Sequence, residues 1–143
     1  MKYPKMLICP YHYIKVKDPV YKYELVHNVT IFTNIKGYDI DLPYGRLKVN
    51  GTLTAKIKYR WDGPSGPTFD TSSSMRSSLF HDLIWQLIEE GFLPEKYRHY
   101  SNELLRDLSI EDGMYKFRAW SFYYTVDYVG RPYIKVKKWW WQR

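Results

Sequence analysis

The sequence predicts an α+β protein in which an N-terminal antiparallel β-meander of four to five strands precedes a bundle of three helices. Apolar and polar residues alternate over residues 21–60, and apolar residues then recur at helical spacing over residues 75–129. Strands therefore come first and helices follow. That order favours an α+β fold over alternating βαβ units, in which helices separate the strands.

The composition indicates one globular domain. The chain has 143 residues, of which 45% are hydrophobic and 19% aromatic, enough to build a core and too many for wholesale disorder. We expect a single domain over residues 1–143 with five consecutive parts: an N-terminal arm or edge strand at 1–20, the antiparallel sheet at 21–60, a Gly/Pro loop at 61–74, the helices at 75–129, and a basic aromatic tail at 130–143.

The sheet prediction depends on turn signals and on the faces of the strands. Asn50-Gly51 is the strongest hairpin signal of the chain, because both residues tolerate the backbone angles of a tight turn. The strand after this turn is predicted to be continuous to residue 60 and to alternate in facing. Its two faces are Leu53, Ala55, Ile57 and Tyr59 on one side and Thr54, Lys56, Lys58 and Arg60 on the other.

The helix predictions depend on caps and apolar spacing. A first helix follows candidate N-caps at Asp70, Thr71 and Ser72–Ser74 and stops at Gly91. A second helix is predicted over residues 95–111, and a third over 114–129. The third carries four aromatic residues at helical spacing: Phe117, Trp120, Tyr124 and Tyr128.

The charge and the cysteine content limit the partners and the compartment. A formal charge of +7 favours attraction to polyanions such as nucleic acid, anionic lipid or an acidic protein. The single cysteine, Cys9, has no partner for an intramolecular disulfide, which favours synthesis in the cytosol. No apolar run is long enough for a transmembrane segment.

An adjacent His-Asp pair, His81 and Asp82, lies on the predicted first helix behind the Gly/Pro loop. His81 falls at the border of the apolar arc, and Asp82 lies about 100° further round the helix. The imidazole can then face a pocket while the carboxylate faces the loop, an arrangement that suits a base beside a metal. The alternative is a core-edge histidine next to a solvated or capping carboxylate.

The motifs around this pair resemble a phage- and prophage-encoded family of small proteins of unknown function. A strand ends in YRWDGPSGP, a helix contains LFHDLIW, and the next helix contains YSNELLRD. The family shows a DGxS-type loop, then HDxxY, then an AD pair, and the resemblance covers residues 21–129. The same order is more distantly similar to phospholipase A2 of the bacterial and viral-capsid types, where a glycine-containing calcium loop precedes a helical HDxxY.

The phospholipase resemblance implies roles for particular residues. His81 is then the general base that activates water, and Asp62 and Asp82 with loop carbonyls are calcium ligands. The carboxylate that orients the imidazole in such enzymes falls at Asn102, and an amide cannot stabilise an imidazolium by charge. The resemblance therefore implies reduced catalytic power. Asp107 is an alternative carboxylate for the same role.

Three functions stay open at this point. The first is a phage virion or assembly-associated structural protein made in the host cytoplasm. Its partners are then other phage structural proteins or further copies of itself, and abundant aromatic residues suit such contacts. The second is a calcium-assisted, phospholipase A2-like ester hydrolase. The third is a nucleic-acid-binding accessory protein that uses the tail or the basic residues Lys56, Lys58 and Arg60.

Overall fold

The computed structural model describes residues 13–18, 21–61 and 72–129. Within these ranges, seven strands in antiparallel sheets are followed by three helices, which confirms the predicted α+β fold with a somewhat higher number of strands. Much of the predicted arm, the Gly/Pro loop and the tail lie outside the described residues. The chain forms two compact units, Met1–Trp61 and Asp62–Arg143.

The strands of the first unit are short. They are β1 (Tyr13–Lys15), β2 (Tyr23–Leu25), β3 (Val29–Phe32), β4 (Ile40–Leu42), β5 (Gly45–Leu47), β6 (Thr52–Ala55) and β7 (Arg60–Trp61). One sheet has the order β1-β2-β7, with β1 at its edge, and the other has the order β3-β6-β5-β4. The residues predicted to form one sheet therefore contribute to two.

The division into two sheets follows from a break in the strand that was predicted to run to residue 60. The chain turns at Ile57 and Lys58, and Lys58 has a positive φ of 74°. The amide of Lys58 donates to the Leu25 carbonyl at 2.8 Å, and the amide of Leu25 donates to the Tyr59 carbonyl at 2.9 Å. Backbone pairing thus passes from β3 on one side of the turn to β2 on the other. Ile57 is half-exposed as a result, whereas Leu53, Ala55 and Tyr59 are buried as predicted.

The predicted turn at Asn50-Gly51 is confirmed. It joins β5 to β6, with the Lys48 amide bonded to the Thr52 carbonyl at 2.9 Å. Gly51 has φ +94°, and its carbonyl accepts hydrogen bonds from the amide and the hydroxyl of Thr33 at 2.9 and 2.8 Å. A Cβ at Gly51 would lie 2.2 Å from the Thr33 carbonyl oxygen, so this position requires glycine.

The second unit contains the helices α1 (Ser72–Glu89), α2 (Tyr97–Glu111) and α3 (Lys116–Val129). Each lies within three residues of its predicted start. The candidate caps Asp70 and Thr71 lie outside the described residues. At the C-terminus of α1 the amides of Gly91 and Phe92 donate to the carbonyls of Ile88 and Leu87, which is the Schellman arrangement that the glycine predicted.

The three helices pack in sequence order, α1 against α2 and α2 against α3. Buried serines join the first pair, since the Ser109 hydroxyl on α2 donates to the Ser77 hydroxyl on α1 at 2.7 Å. The core between the second pair consists of Leu105, Met114, Ala119, Phe122 and Val126. This packing places residues 81, 102 and 127 of the three helices close together, as the hydrogen bonds between them show.

Candidate functional site

His81 lies in the middle of α1 and is buried, with 6% of its surface exposed. Its Nε2 atom lies 2.7 Å from Oδ1 of Asn102 on α2. A helix hairpin with a short connection brings these two residues together although 21 positions separate them in the chain. The structure therefore places Asn102, the residue at the position that the resemblance implied for an orienting group, beside the imidazole.

Asp127 on α3 extends the contact into a chain of three side chains. Nδ2 of Asn102 donates a hydrogen bond to Oδ1 of Asp127 at 2.8 Å. His81, Asn102 and Asp127 thus form a continuous hydrogen-bonded network with one member on each helix. The sequence reasoning missed Asp127. Asp127 is the one acidic residue among the 14 residues of α3, and this could have drawn attention to it. No spacing rule, however, connected it to His81.

The second ring nitrogen of His81 faces Asp82. Nδ1 lies 3.7 Å from Oδ1 of Asp82, and both side chains are buried. This distance is too long for a hydrogen bond and short enough for charge attraction if the ring is protonated. The carboxylate of Asp107 accepts a hydrogen bond from Arg106 Nε at 2.8 Å. The carboxylate connected to His81 through Asn102 is that of Asp127.

Trp85, one helical turn after His81, fixes one face of the imidazole. The two rings have centroids 4.9 Å apart and are tilted by 38°. The indole Nε1 donates to Ser101 Oγ at 2.5 Å, and that hydroxyl donates to the Arg98 carbonyl at 2.6 Å. The Arg98 guanidinium lies 4.9 Å from the indole centroid, in cation–π geometry. These contacts restrict rotation of the imidazole.

The described residues do not by themselves build a calcium site. Calcium takes six to eight oxygen ligands, and the predicted ligand that is described, Asp82, supplies one buried carboxylate next to His81. Asp62, the other predicted ligand, lies outside the described residues. Across residues 13–18, 21–61 and 72–129, no group of three or more His, Cys, Asp or Glu side chains is arranged to hold a metal ion.

The arrangement can hold a proton at a defined ring nitrogen of His81, but it does not place a full negative charge next to that nitrogen. The amide oxygen of Asn102 can accept a hydrogen bond from Nε2–H, and it does so without the charge of a carboxylate. The charge of Asp127 is one side chain further away. Orientation of the ring is therefore provided, whereas direct electrostatic stabilisation of an imidazolium at Nε2 is weaker than in a His-carboxylate pair.

The exposed side of α3 is a second feature of interest. Phe117, Trp120, Tyr124 and Tyr128 lie on one side of the helix, here called the α3 aromatic face, and their exposed fractions run from 41% for Trp120 to 92% for Tyr128. The residues that pack inward are instead Ala119, Phe122, Tyr123 and Val126. The aromatic residues prominent in the sequence pattern are thus the ones that face outward.

The basic residues proposed for nucleic-acid binding are largely paired with acids. Lys56 Nζ lies 2.7 Å from Asp41 Oδ1. Arg60 contacts Glu24 at 2.8 Å and Asp18 at 3.0 Å. Because the strand breaks at Lys58, the three cations also do not form one strand face. These pairs weaken the case for a phosphate-binding stripe, while the tail lies outside the described residues.

The fold and the site define a class: an α+β protein whose three helices are linked by a His-Asn-Asp hydrogen-bond network that runs from the buried His81 to the partly exposed Asp127. Comparison with protein-family models, with curated proteins and with solved structures finds no match to this chain. Among the helices that the structure describes, none has the length and apolar character needed to cross a membrane.

Proposed function

We propose that the chain is a virion- or assembly-associated structural protein of a bacteriophage, and that it acts through self-association on the α3 aromatic face. The exposure of four aromatic side chains along one helix is the observation that carries this proposal. The resemblance of residues 21–129 to a phage-encoded family supports the phage context and synthesis in the host cytoplasm. The His81 network then serves to hold the three helices in register.

The α3 aromatic face has the properties of an unfilled packing surface. α3 is apolar on its inner side, which contains Phe122 and Val126, and aromatic on its outer side. Contiguous exposed aromatic residues of this kind mark protein contact sites, because Trp and Tyr contribute strongly to interface energies.

The charges at the two ends of α3 complement those of α3 in a second, antiparallel copy of the chain. Lys116 and Arg118 lie in the first turn of α3, and Asp127 lies in its last turn. An antiparallel pair of α3 helices places each basic turn beside the acidic turn and the negative end of the helix dipole of the other copy. A twofold axis perpendicular to α3 produces this antiparallel arrangement, and twofold symmetry is the commonest symmetry of soluble dimers.

The test is the oligomeric state of purified protein, measured by sedimentation velocity over a range of concentrations. The double variant Phe117→Ser/Tyr124→Ser should sediment as a monomer at concentrations where the parent is a dimer. Phe92→Ser is the matched control, since Phe92 is an exposed aromatic residue of the second unit that lies outside α3. A monomeric parent, or loss of the dimer in the control alone, contradicts self-association through α3.

A phospholipase A2-like ester hydrolase is the second candidate, and the hydrogen bond from His81 to Asn102 favours it. In this reading His81 is the general base, with Nε2 oriented by the amide and Nδ1 as the proton acceptor. Calcium would supply charge stabilisation of the ester oxyanion when bound, with Asp82 and Asp62 as its proposed ligands. The deep burial of His81 is the reason to rank this function second.

Hydrolysis of a short-chain phospholipid, with calcium and with a chelator, tests the second candidate. Calcium-dependent turnover by the parent that His81→Ala abolishes would establish a hydrolase. Glu111→Gln is the control for this assay, because it removes an exposed carboxylate of α2 that has no role in the proposed site. Equal rates in parent and His81→Ala would remove the enzyme hypothesis and leave the sedimentation result unaffected.

A further inference from the structure

We infer that Asp127 is a positioning residue that sets the tautomer of His81 through Asn102. The inference starts from the order of the three side chains, in which Asn102 lies between the other two, 2.7 Å from His81 Nε2 and 2.8 Å from Asp127 Oδ1. It does not depend on the proposed self-association, and it holds whether or not the chain is a hydrolase.

The direction of each hydrogen bond follows from the chemistry of the end group. An ionised carboxylate only accepts hydrogen bonds, so Asp127 must accept one from the amide nitrogen of Asn102. This orients the amide and leaves its oxygen, Oδ1, toward His81. Because an amide oxygen only accepts, Nε2 of His81 must carry the proton. Without Asp127, the amide could turn over and present its NH₂ group to an unprotonated Nε2.

The consequence is a defined basic atom. In the neutral ring only one nitrogen carries hydrogen, so a proton on Nε2 leaves Nδ1 as the acceptor, on the side of Asp82. The acceptor atom of the ring therefore lies 3.7 Å from the buried carboxylate oxygen of Asp82. Asp127 thereby controls which ring atom is basic without touching the ring.

Asp127 also gives the network an end at the surface. Its side chain is 41% exposed, and its Oδ1 lies 3.6 Å from Nδ1 of His99, whose side chain is 61% exposed. The other ring nitrogen of His99 faces Glu103 Oε1 at 3.8 Å and the Tyr123 hydroxyl at 3.5 Å. The network therefore runs from a solvated carboxylate to a buried imidazole. Water can replace the His99 contact, whereas the Asn102 contact is shielded because Asn102 is buried.

Long-range ¹H–¹⁵N nuclear magnetic resonance of the folded, full-length chain tests the inference, because the nitrogen shifts of a neutral imidazole distinguish its two tautomers. The His81 ring of the parent should be the Nε2–H form at a pH where it is neutral. Asp127→Ala should introduce a measurable population of the Nδ1–H form. Glu111→Gln, which removes an exposed carboxylate of α2 that has no role in the network, should leave the parent tautomer unchanged.

Two results would overturn the inference. An Nδ1–H ring in the parent contradicts it without any variant, so the test remains decisive even if Asp127→Ala fails to fold. A ring that stays entirely in the Nε2–H form in folded Asp127→Ala shows that the amide keeps its orientation unaided. A simple structural role for Asp127 would lower stability in that variant and leave the tautomer unchanged.

Discussion

Replacing Asn102 with aspartate should destabilise the chain, even though it introduces the carboxylate that the phospholipase resemblance places beside the histidine. Nδ2 of Asn102 donates to Asp127 Oδ1 at 2.8 Å. In Asn102→Asp an oxygen takes the place of that donor and faces a second carboxylate. The existing hydrogen bond is lost and is replaced by repulsion between two like charges.

The size of the effect follows from this distance. Two unit charges 2.8 Å apart repel by about 6 kcal/mol at an effective dielectric constant of about 20. Solvent at the partly exposed Asp127 lowers that repulsion, and the new carboxylate makes a stronger hydrogen bond with the His81 ring. We therefore expect the free energy of unfolding to fall by about 2 to 4 kcal/mol.

The exchange variant Asn102→Asp/Asp127→Asn should recover most of this loss. Its carboxylate at position 102 can accept from the imidazole and from the new amide at position 127, so both hydrogen bonds are retained and the net charge equals that of the parent. Asp127→Asn alone completes the double-mutant cycle, and the coupling between the two positions should be at least about 2 kcal/mol.

Urea unfolding followed by circular dichroism and tryptophan fluorescence measures all four proteins. Additive effects of the two single changes would refute the reasoning, as would an Asn102→Asp variant as stable as the parent, because either result means that residues 102 and 127 do not interact in solution. If the chain is a weak hydrolase, the exchange variant should also be its most active form, since a carboxylate then contacts His81 directly.

Two further predictions concern the hairpin and the pH dependence. Gly37→Ala should lower the free energy of unfolding by about 1 to 2 kcal/mol, because its φ is +88° and no atom lies near the new Cβ. Gly51→Ala should lower it by at least about 2 kcal/mol more, because its Cβ would meet the Thr33 carbonyl. Equal losses in urea unfolding would contradict the clash. Burial raises the pKa of Asp112 above 3.8, although Arg76 acts to lower it. The folded chain therefore holds the proton of the Asp112 carboxyl more tightly than the unfolded chain does. The stability of the parent relative to Asp112→Asn should then fall as the pH rises from 3.8 through the raised pKa. A relative stability that is constant or increases over this range would refute the assignment.

The sequence by itself determined the local structure of the chain. The glycine at position 91 and the Asn50-Gly51 pair ended a helix and made a hairpin where they were predicted, because caps and turns depend on the angles of a few neighbouring residues. Apolar spacing predicted the three helices for the same reason. The approach of Asn102 to His81 was expected from the resemblance to phospholipase A2 and not from the apolar spacing of the two helices.

Only the tertiary structure decided the features that depend on distant residues. The turn at Lys58 divides the strands into two sheets because its amide bonds to Leu25, a partner 33 positions earlier that no local pattern specifies. The outward direction of Trp120 on α3 was also undetermined, since both sides of that helix are apolar and packing against α2 selects between them. Asp127 joins the His81 network for the same physical reason: a hydrogen bond between helices depends on their rotation and register, which the whole core sets and a single helix does not.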